Sequence, residues 1–451
     1  MIEENPVIMS YFGTNGVRGR FDELSPGLAM KLAQAIGCYL GKGKILLARD
    51  CRLTGDILAR SVSAGLASVG CDVIDLGIVS SPTAEFMIKK LKAKGLIIIT
   101  ASHNPPEWNA IKVVDADGTA ISRERGAEIE KLLDAPMLAA YDIVGKISGY
   151  DMATDDHIKA IAGLVDGGRI KQKKPKIILD CGNGTASVIA PKLFKELGCE
   201  IISLNSHLDG RFPGRPSEPS EANVKELLIA VKSMKADAGI AWDADGDRVI
   251  FVDEFGGYVI GDKVFALSIL WKLSSGKKGD IVTTVATSKA AEDVASRFGC
   301  KVRYTAIGAP YLCEEMRKKS AMIGGEEVGG VIWPELSQAK DGFITGAKLA
   351  EAICDKPLSA WLKDIPVYHN VKRKIDADDD GKKKIVARVL AYAKEKKLDH
   401  ITIDGVRINF KDGWVIVRAS GTEPYVRIFA EARSEARAKD LAEEYTGIAS
   451  G

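Results

Sequence analysis

Apolar residues along the chain repeat with two periods. Short runs of strand length, Lys44-Ile45-Leu46-Leu47-Ala48, Lys176-Ile177-Ile178-Leu179 and Asp280-Ile281-Val282-Thr283-Thr284-Val285, predict strands buried on both faces. Each is followed by a helical pattern that closes in one recurring phrase: Gly70-Cys71-Asp72-Val73-Ile74, Gly198-Cys199-Glu200-Ile201-Ile202 and Gly299-Cys300-Lys301-Val302. In the first copy Ile57, Leu58, Val62, Leu66 and Val69 form the stripe, and Gly70 suits the left-handed residue just past a helix end. A further apolar strand opens at each Gly-Cys. Strand, helix, strand is the βαβ unit of a parallel sheet, and its repetition predicts tandem α/β domains.

Downstream of each copy another apolar strand runs into a polar loop: Leu96 to Thr100 into Ser102, Ala238 to Trp242 into Asp243, and Ala321 to Ile323 into Glu326. Open α/β sheets bind ligands at the carboxyl ends of their strands, so the three loops are expected to face one cleft. The character changes near Ile365-Pro366. There a stretch of cancelling charge, Lys372-Arg373-Lys374, Asp378-Asp379-Asp380 and Lys382-Lys383-Lys384, reads as solvated surface. Strands at Ile401-Thr402-Ile403, Val406-Arg407-Ile408, Trp414 to Val417 and Val426 to Phe429 follow, with a closing helix over Ala432 to Tyr445. The expected fold is α/β: three tandem βαβ-type domains with mixed sheets (1–150, 151–256, 257–364) and a smaller C-terminal α+β domain (365–451) around one central cleft.

Length agrees, since 451 residues at about 150 per domain exclude one minimal module. A 46% hydrophobic and 27% charged composition is that of a globular protein with material for a core, which excludes disordered and fibrous classes. The formal charge of +2 gives no long-range field toward nucleic acid or an anionic membrane, so neither is expected as a partner. Apolar runs such as Leu96-Ile97-Ile98-Ile99 fall far short of the roughly 18 residues that span a bilayer. The start, Met1-Ile2-Glu3-Glu4-Asn5-Pro6, has no basic n-region or h-region, so a cytoplasmic location is expected. The cysteines at 38, 51, 71, 181, 199, 300, 313 and 354 show no zinc or C-x-x-C spacing and read as reduced structural thiols. No interface stripe stands out, and a homo-oligomer stays open.

Candidate chemistry sits in the polar loops. Thr100-Ala101-Ser102-His103-Asn104-Pro105-Pro106 sets a hydroxyl, an imidazole and an amide on a turn stiffened by prolines; its bland alternative is a turn whose Ser102 and Asn104 satisfy backbone groups. Asp243-Ala244-Asp245-Gly246-Asp247-Arg248 alternates carboxylates between two apolar strands, a donor set for a hard divalent ion such as Mg²⁺. Glu254 stands at position twelve from Asp243, but an EF-hand needs Gly at position six, where this chain has Arg248. A metal-free Asx hairpin would leave the carboxylates repelling one another.

Gly324-Gly325-Glu326-Glu327-Val328-Gly329-Gly330 offers carboxylates that could accept from sugar hydroxyls, or a tight turn. Arg418-Ala419-Ser420-Gly421-Thr422-Glu423-Pro424, followed by Arg427, suits a phosphate. Phe12-Gly13-Thr14-Asn15-Gly16-Val17-Arg18-Gly19 supplies another arginine among glycines. Cys181-Gly182-Asn183-Gly184-Thr185 lacks the third small residue of a dinucleotide loop and reads as a structural turn.

Taken together and in order, these segments resemble the α-D-phosphohexomutase superfamily, in which phosphoglucomutase, phosphomannomutase and phosphoglucosamine mutase enzymes fall. The resemblance covers essentially the whole chain. It implies that Ser102 carries a phosphoryl group beside His103 and Asn104, with Lys112 in general acid/base work and Arg18 as the N-terminal active-site arginine. It implies Mg²⁺ on Asp243, Asp245, Asp247 and the Ser102 oxygen, with Arg248 near the phosphoserine or substrate. Glu326 and Glu327 would read sugar hydroxyls, and Arg418, Ser420, Gly421, Thr422 and Arg427 would grip the non-reacting phosphate.

The implied activity interconverts hexose 1-phosphate and hexose 6-phosphate, glucose and mannose phosphates first, through a phosphoserine enzyme and a hexose 1,6-bisphosphate. Phosphoglucosamine mutase is the near alternative, and a Ser-dependent phosphatase or a non-catalytic phosphosugar-binding protein the remoter ones. Val328, Gly330 and Ala309 depart from the residues usual in relatives, and the Glu-Glu-x-Gly-Gly loop looks more like archaeal members.

Overall fold

The computed structural model describes residues 11–13, 16–421 and 423–451. The first sheet runs in the order Phe12–Gly13, Gly16–Arg20, Trp108–Asp115, Gly95–Ile99, Lys44–Arg49, Asp72–Ile78, Ile147–Gly149. Its centre is parallel, and Trp108–Asp115 turns back antiparallel onto Gly95–Ile99. The second sheet repeats the plan with Lys176–Asp180 between Glu200–Leu204 and Ala238–Trp242, and Val249–Val252 returns as a hairpin in which Trp242 faces Val249. A third sheet is built on Ile281–Thr284 and a fourth, antiparallel one on Gly413–Ala419 and Tyr425–Ala432. The central strands Lys44–Arg49, Gly95–Ile99, Lys176–Asp180 and Ala238–Trp242 are buried almost throughout, as their continuous apolar runs require.

The Gly-Cys phrase does what its spacing predicts: Gly70, Gly198 and Gly299 have φ of 87°, 92° and 68°, the left-handed region that ends a helix without a Cβ penalty. Some sequence expectations are corrected. Ile57 faces solvent, while Leu58, Val62, Leu66 and Val69 form the buried stripe. The strand at 401–403 stops at Ile401, and Ile403 is exposed in a turn. The closing helix spans Glu435–Ser450, because Ala430 and Ala432 still belong to the preceding strand and Ser434 caps the helix. Lys382 is buried inside the stretch read as solvated. Among the described residues no helix is long and apolar enough to cross a membrane.

The second and third α/β units share one core. Helix Gly342–Ala352 follows the third sheet in the chain yet packs into the second unit, where Phe343 stacks on Trp242 at 5.6 Å. A buried polar chain fastens the first unit to the same place. His157, fully buried, bonds Thr83 Oγ1 of helix Ser81–Leu91 through Nδ1 and Asp341 Oδ2 through Nε2, each at 2.9 Å. Asp341 also accepts from the backbone N–H groups of Phe343 and Ile344, capping the shared helix.

Removing the imidazole would leave a buried hydroxyl and a buried carboxylate without this partner. His157→Ala is therefore expected to lower unfolding stability by about 2–4 kcal/mol, read as a lower guanidinium midpoint.

Candidate active site

Ser102 follows the buried strand Gly95–Ile99 and has φ of 49°, a conformation a non-glycine residue adopts only when its surroundings over-determine it. The surroundings are a buried guanidinium. Arg52 donates through Nε to Asp50, through Nη1 to the carbonyls of Pro105 and Trp108, and through Nη2 to those of Ser102 and Asn104. That uses every N–H a guanidinium has. Asp50 also accepts from Thr100 Oγ1, whose oxygen receives the Ser102 N–H. From the second unit Ser217 Oγ donates to the carbonyls of His103 and Asn104. The serine turn is thus fixed from both sides.

The acidic loop is held by a matching device. Arg215, buried, bonds Asp180 Oδ2 at 2.7 Å and the Trp242 carbonyl at 2.7 Å, directly before Asp243. Thr185 binds the Ala244 carbonyl through its N–H and hydroxyl. A Cβ on Gly184 would lie 2.6 Å from that same carbonyl oxygen. The Cys181 to Thr185 segment accordingly forms a turn that supports the loop.

The two loops meet across the cleft. Ser102 Oγ lies 2.7 Å from Asp243 Oδ2, and Lys112 Nζ lies 2.8 Å from Asp245 Oδ2, which also accepts from Ser81 Oγ. Oxygens of Asp243, Asp245 and Asp247 all fall within 4.8 Å of one another. Among the described residues, Asp245 Oδ1 and Asp247 Oδ1 are buried without a hydrogen-bond partner. Orphaned carboxylate oxygens beside one another fit a hard divalent cation.

Burial, with Asp245 and Asp247 close by, pushes the Asp243 carboxyl well above the usual range. Burial acts on Asp245 too, but Lys112 and Ser81 outweigh it and hold that group far below. Burial thus disfavours charge on Asp243, while Lys112 compensates the charge on Asp245.

Arg248 donates to Glu218, and Arg18, on the exposed rim, donates to the Asn104 amide oxygen. His103 is half-buried; desolvation, Arg248 and Arg18 bring its pKa down to about 3, so the ring is neutral.

The third loop reaches the acidic loop through a residue that sequence reasoning passed over. Lys340, buried, bonds Glu326 at 2.6 Å and Asp247 at 3.0 Å. A Cβ on Gly330 would lie 2.5 Å from Lys340 Cδ, so the glycine makes room for this lysine. Glu327 instead lines a cleft of about 260 Å³ with Glu218, Val328, Asn370 and Lys372. Glu85 was likewise missed. It lines a cavity of about 40 Å³ with Lys112, Asp247, Ala309 and Lys340, where burial and Asp247 push its carboxyl up to about 8.

In the fourth unit Arg418 lies near the end of the strand Gly413–Ala419 and pairs with Asp404 at 3.1 Å, while Arg427 pairs with Glu423 at 2.6 Å. Ser420 Oγ accepts from the Glu423 N–H, and Lys382 donates to the Ser420 carbonyl, which explains its burial. Gly421 is exposed at the loop tip, and Thr422 lies outside the described residues. No sequence signal marks Arg52, Arg215 or Lys340, because the loops each one joins are brought together only by the tertiary fold.

The chain as a whole is similar to known proteins. The four domains described for phosphoglucomutase/phosphomannomutase match in order: alpha/beta/alpha domain I at residues 9–139, domain II at 155–256, domain III at 260–368 and the C-terminal domain at 370–447. The chain belongs to the α-D-phosphohexomutase superfamily. It is an enzyme of the phosphoglucomutase type, an isomerase. It is 40% identical over 442 residues to the phosphoglucomutase/phosphomannomutase of Thermococcus kodakarensis, covering 96% of each chain. It is 37% identical over 450 residues to the phosphoglucosamine/phosphogalactosamine mutase of Sulfurisphaera tokodaii, covering 98% of this chain and 99% of that protein. The crystal structure of a phosphoglucomutase/phosphomannomutase family protein from Burkholderia thailandensis superposes with a TM-score of 0.88 at 28% identity, over 98% of each chain.

Within this superfamily fold, the serine turn depends on Arg52. Arg52→Met leaves the buried Asp50 without its cationic partner, and is expected to cost about 3–5 kcal/mol in chemical denaturation. Arg18→Met, on the exposed rim, is expected to change stability by less than about 0.5 kcal/mol.

Proposed function

We propose that the protein interconverts hexose 1-phosphate and hexose 6-phosphate, with glucose and mannose phosphates preferred, through phospho-Ser102 and a hexose 1,6-bisphosphate. The observation that carries the reading is the strained, 4% exposed Ser102 hydroxyl, 2.7 Å from Asp243 and beside two orphaned carboxylate oxygens. The phosphoryl group passes from Ser102 Oγ to the free hydroxyl of hexose 1-phosphate, and Lys112, acting in its neutral amine form, takes that hydroxyl's proton. The bisphosphate turns around, and its other phosphoryl group returns to Ser102 Oγ while the proton goes back to the sugar oxygen. Sugar 6-phosphate then leaves.

Asp243, Asp245, Asp247 and the Ser102 oxygen would hold Mg²⁺, which supplies charge neutralisation on the transferring phosphoryl oxygens. Phosphoryl transfer is mostly positioning and charge stabilisation. Arg18 and Arg248 add positive charge at the serine turn, and His103 and Asn104 orient it. Glu326 and Glu327 bind sugar hydroxyls. Arg418, Ser420, Gly421, Thr422 and Arg427 hold the non-reacting phosphate, so closure of the fourth unit keeps water from the phosphoserine. The division into domains at 150, 256 and 364 belongs to the same reading.

A second reading has an observation of its own. Glu218, Asp262 and Glu327 line the cleft beside the sugar loop, where a glucosamine ammonium would find carboxylates. That supports phosphoglucosamine mutase activity.

With Mg²⁺ and a trace of hexose bisphosphate, ³¹P NMR is expected to show glucose 1-phosphate and mannose 1-phosphate converted to 6-phosphates, and Ser102→Ala to lose at least about a thousandfold in rate. Faster turnover of glucosamine 1-phosphate would transfer the assignment to the second reading. Free phosphate released as fast as isomer would make the protein a phosphatase. Without a metal, the raised Asp243 pKa means that folding binds a proton the unfolded chain releases above its ordinary value of 3.8. The contribution of Asp243 to metal-free stability therefore falls as pH rises past that value, and a bound Mg²⁺ would supply the compensating charge instead. The thermal shift on adding Mg²⁺ is expected to be larger at pH 8 than at pH 5.5.

A further inference from the structure

The carboxylate that holds Arg418 has a second partner in another part of the molecule. Asp404 Oδ1 accepts from Arg418 Nε at 3.1 Å, and Oδ2 lies 3.1 Å from Arg418 Nη2. This side-on pair fixes the guanidinium plane and leaves the Nη1 edge for a ligand. The same Oδ2 accepts the backbone N–H of Ile307 at 3.1 Å. Ile307 lies in the third unit, in the loop between strand Val302–Thr305 and helix Ala309–Lys319.

The contact is built in. Asp404 stands in the turn before strand Val406–Phe410, and Gly405 follows it with φ of 74°. A Cβ on Gly405 would lie 2.3 Å from the Val417 carbonyl and 2.7 Å from Arg418 Cα, so the turn rests directly on the arginine. Only glycine allows that approach. Other ties between the third and fourth units, Arg407 to the Val285 carbonyl at 2.6 Å and Glu431 to the Lys289 N–H at 2.7 Å, do not involve the candidate phosphate residues. Arg427, the other candidate arginine, is paired inside its own unit with Glu423.

We propose that Asp404 is a positioning residue for phosphate capture, making the aim of Arg418 depend on docking of the fourth unit against the Ile307 loop. The inference rests on the proposed phosphate role of Arg418. In the docked arrangement the carboxylate is shared between the guanidinium and the Ile307 amide. Undocked, Asp404 loses the amide that fixes its carboxylate, and the guanidinium plane of Arg418 is held less firmly toward phosphate. By linkage, a bound phosphosugar favours the docked arrangement to the same extent.

The test compares Asp404→Asn, Asp404→Ala, Arg418→Ala and the double variant Asp404→Ala/Arg418→Ala in the full-length protein. Glucose 6-phosphate binding is measured by calorimetry, and KM and kcat with glucose 1-phosphate. Asp404→Ala is expected to weaken binding and raise KM by about tenfold, the scale seen when an orienting partner is lost, with kcat within about twofold. Asp404→Asn, which keeps the shape and one acceptor, should fall between it and the native protein. The double variant should be no worse than Arg418→Ala, an outcome a general structural defect would not give. Binding by either Asp404 variant that equals or exceeds the native, while Arg418→Ala binds poorly, overturns the inference and leaves the phosphate role standing. Native-like binding by Arg418→Ala overturns both.

Discussion

Carboxylates taken out of water need a counter-charge, and the meeting point of the first three units is organised by that demand. Asp243, Asp245 and Asp247 lie together at the cleft, and their compensation comes from elsewhere in the chain: Ser102 and Lys112 from the first sheet, Ser81 from the helix beside it, Lys340 from the third unit. Each contact crosses a boundary between units. Positioning the acidic loop and holding the units in register are therefore one physical problem, and a cation bound at the orphaned oxygens would complete its solution.

The same economy appears in the loops on either side. A buried guanidinium, Arg52 in the first unit and Arg215 in the second, converts backbone carbonyls of a turn into a fixed array. An arginine can do this because its planar donors reach several acceptors at once, whereas a lysine reaches as a point charge. The positive φ of Ser102 is tolerated inside that array. The fourth unit is built more lightly. Among the described residues its contacts to the third include charge-assisted bonds and an apolar patch around Trp414.

The local elements were legible in the sequence because their causes are local. Periods of two and 3.6, a glycine past each helix end and polar loops after buried strands are written in consecutive residues, and the α/β architecture with its mixed sheets followed from them. The place of the Ser102 and Asp243 loops at strand carboxyl ends was legible too, whereas their meeting depends on how two separate sheets pack. The shared core of the second and third units was not legible. Helix Gly342–Ala352 has an apolar face that either neighbour could cover, and only packing against Trp242 and Phe194 chose one.

Charged residues mark the limit most plainly. In the sequence Lys382 belongs to a run whose signs cancel, and Lys340 is an unremarked residue before Asp341; in the structure one supports the Ser420 loop and the other joins two carboxylates. By itself the sequence determined which chemical groups are present and which strand end carries each. The tertiary structure decided which cation answers which buried carboxylate, because that choice depends on desolvation and distance between residues far apart in the chain.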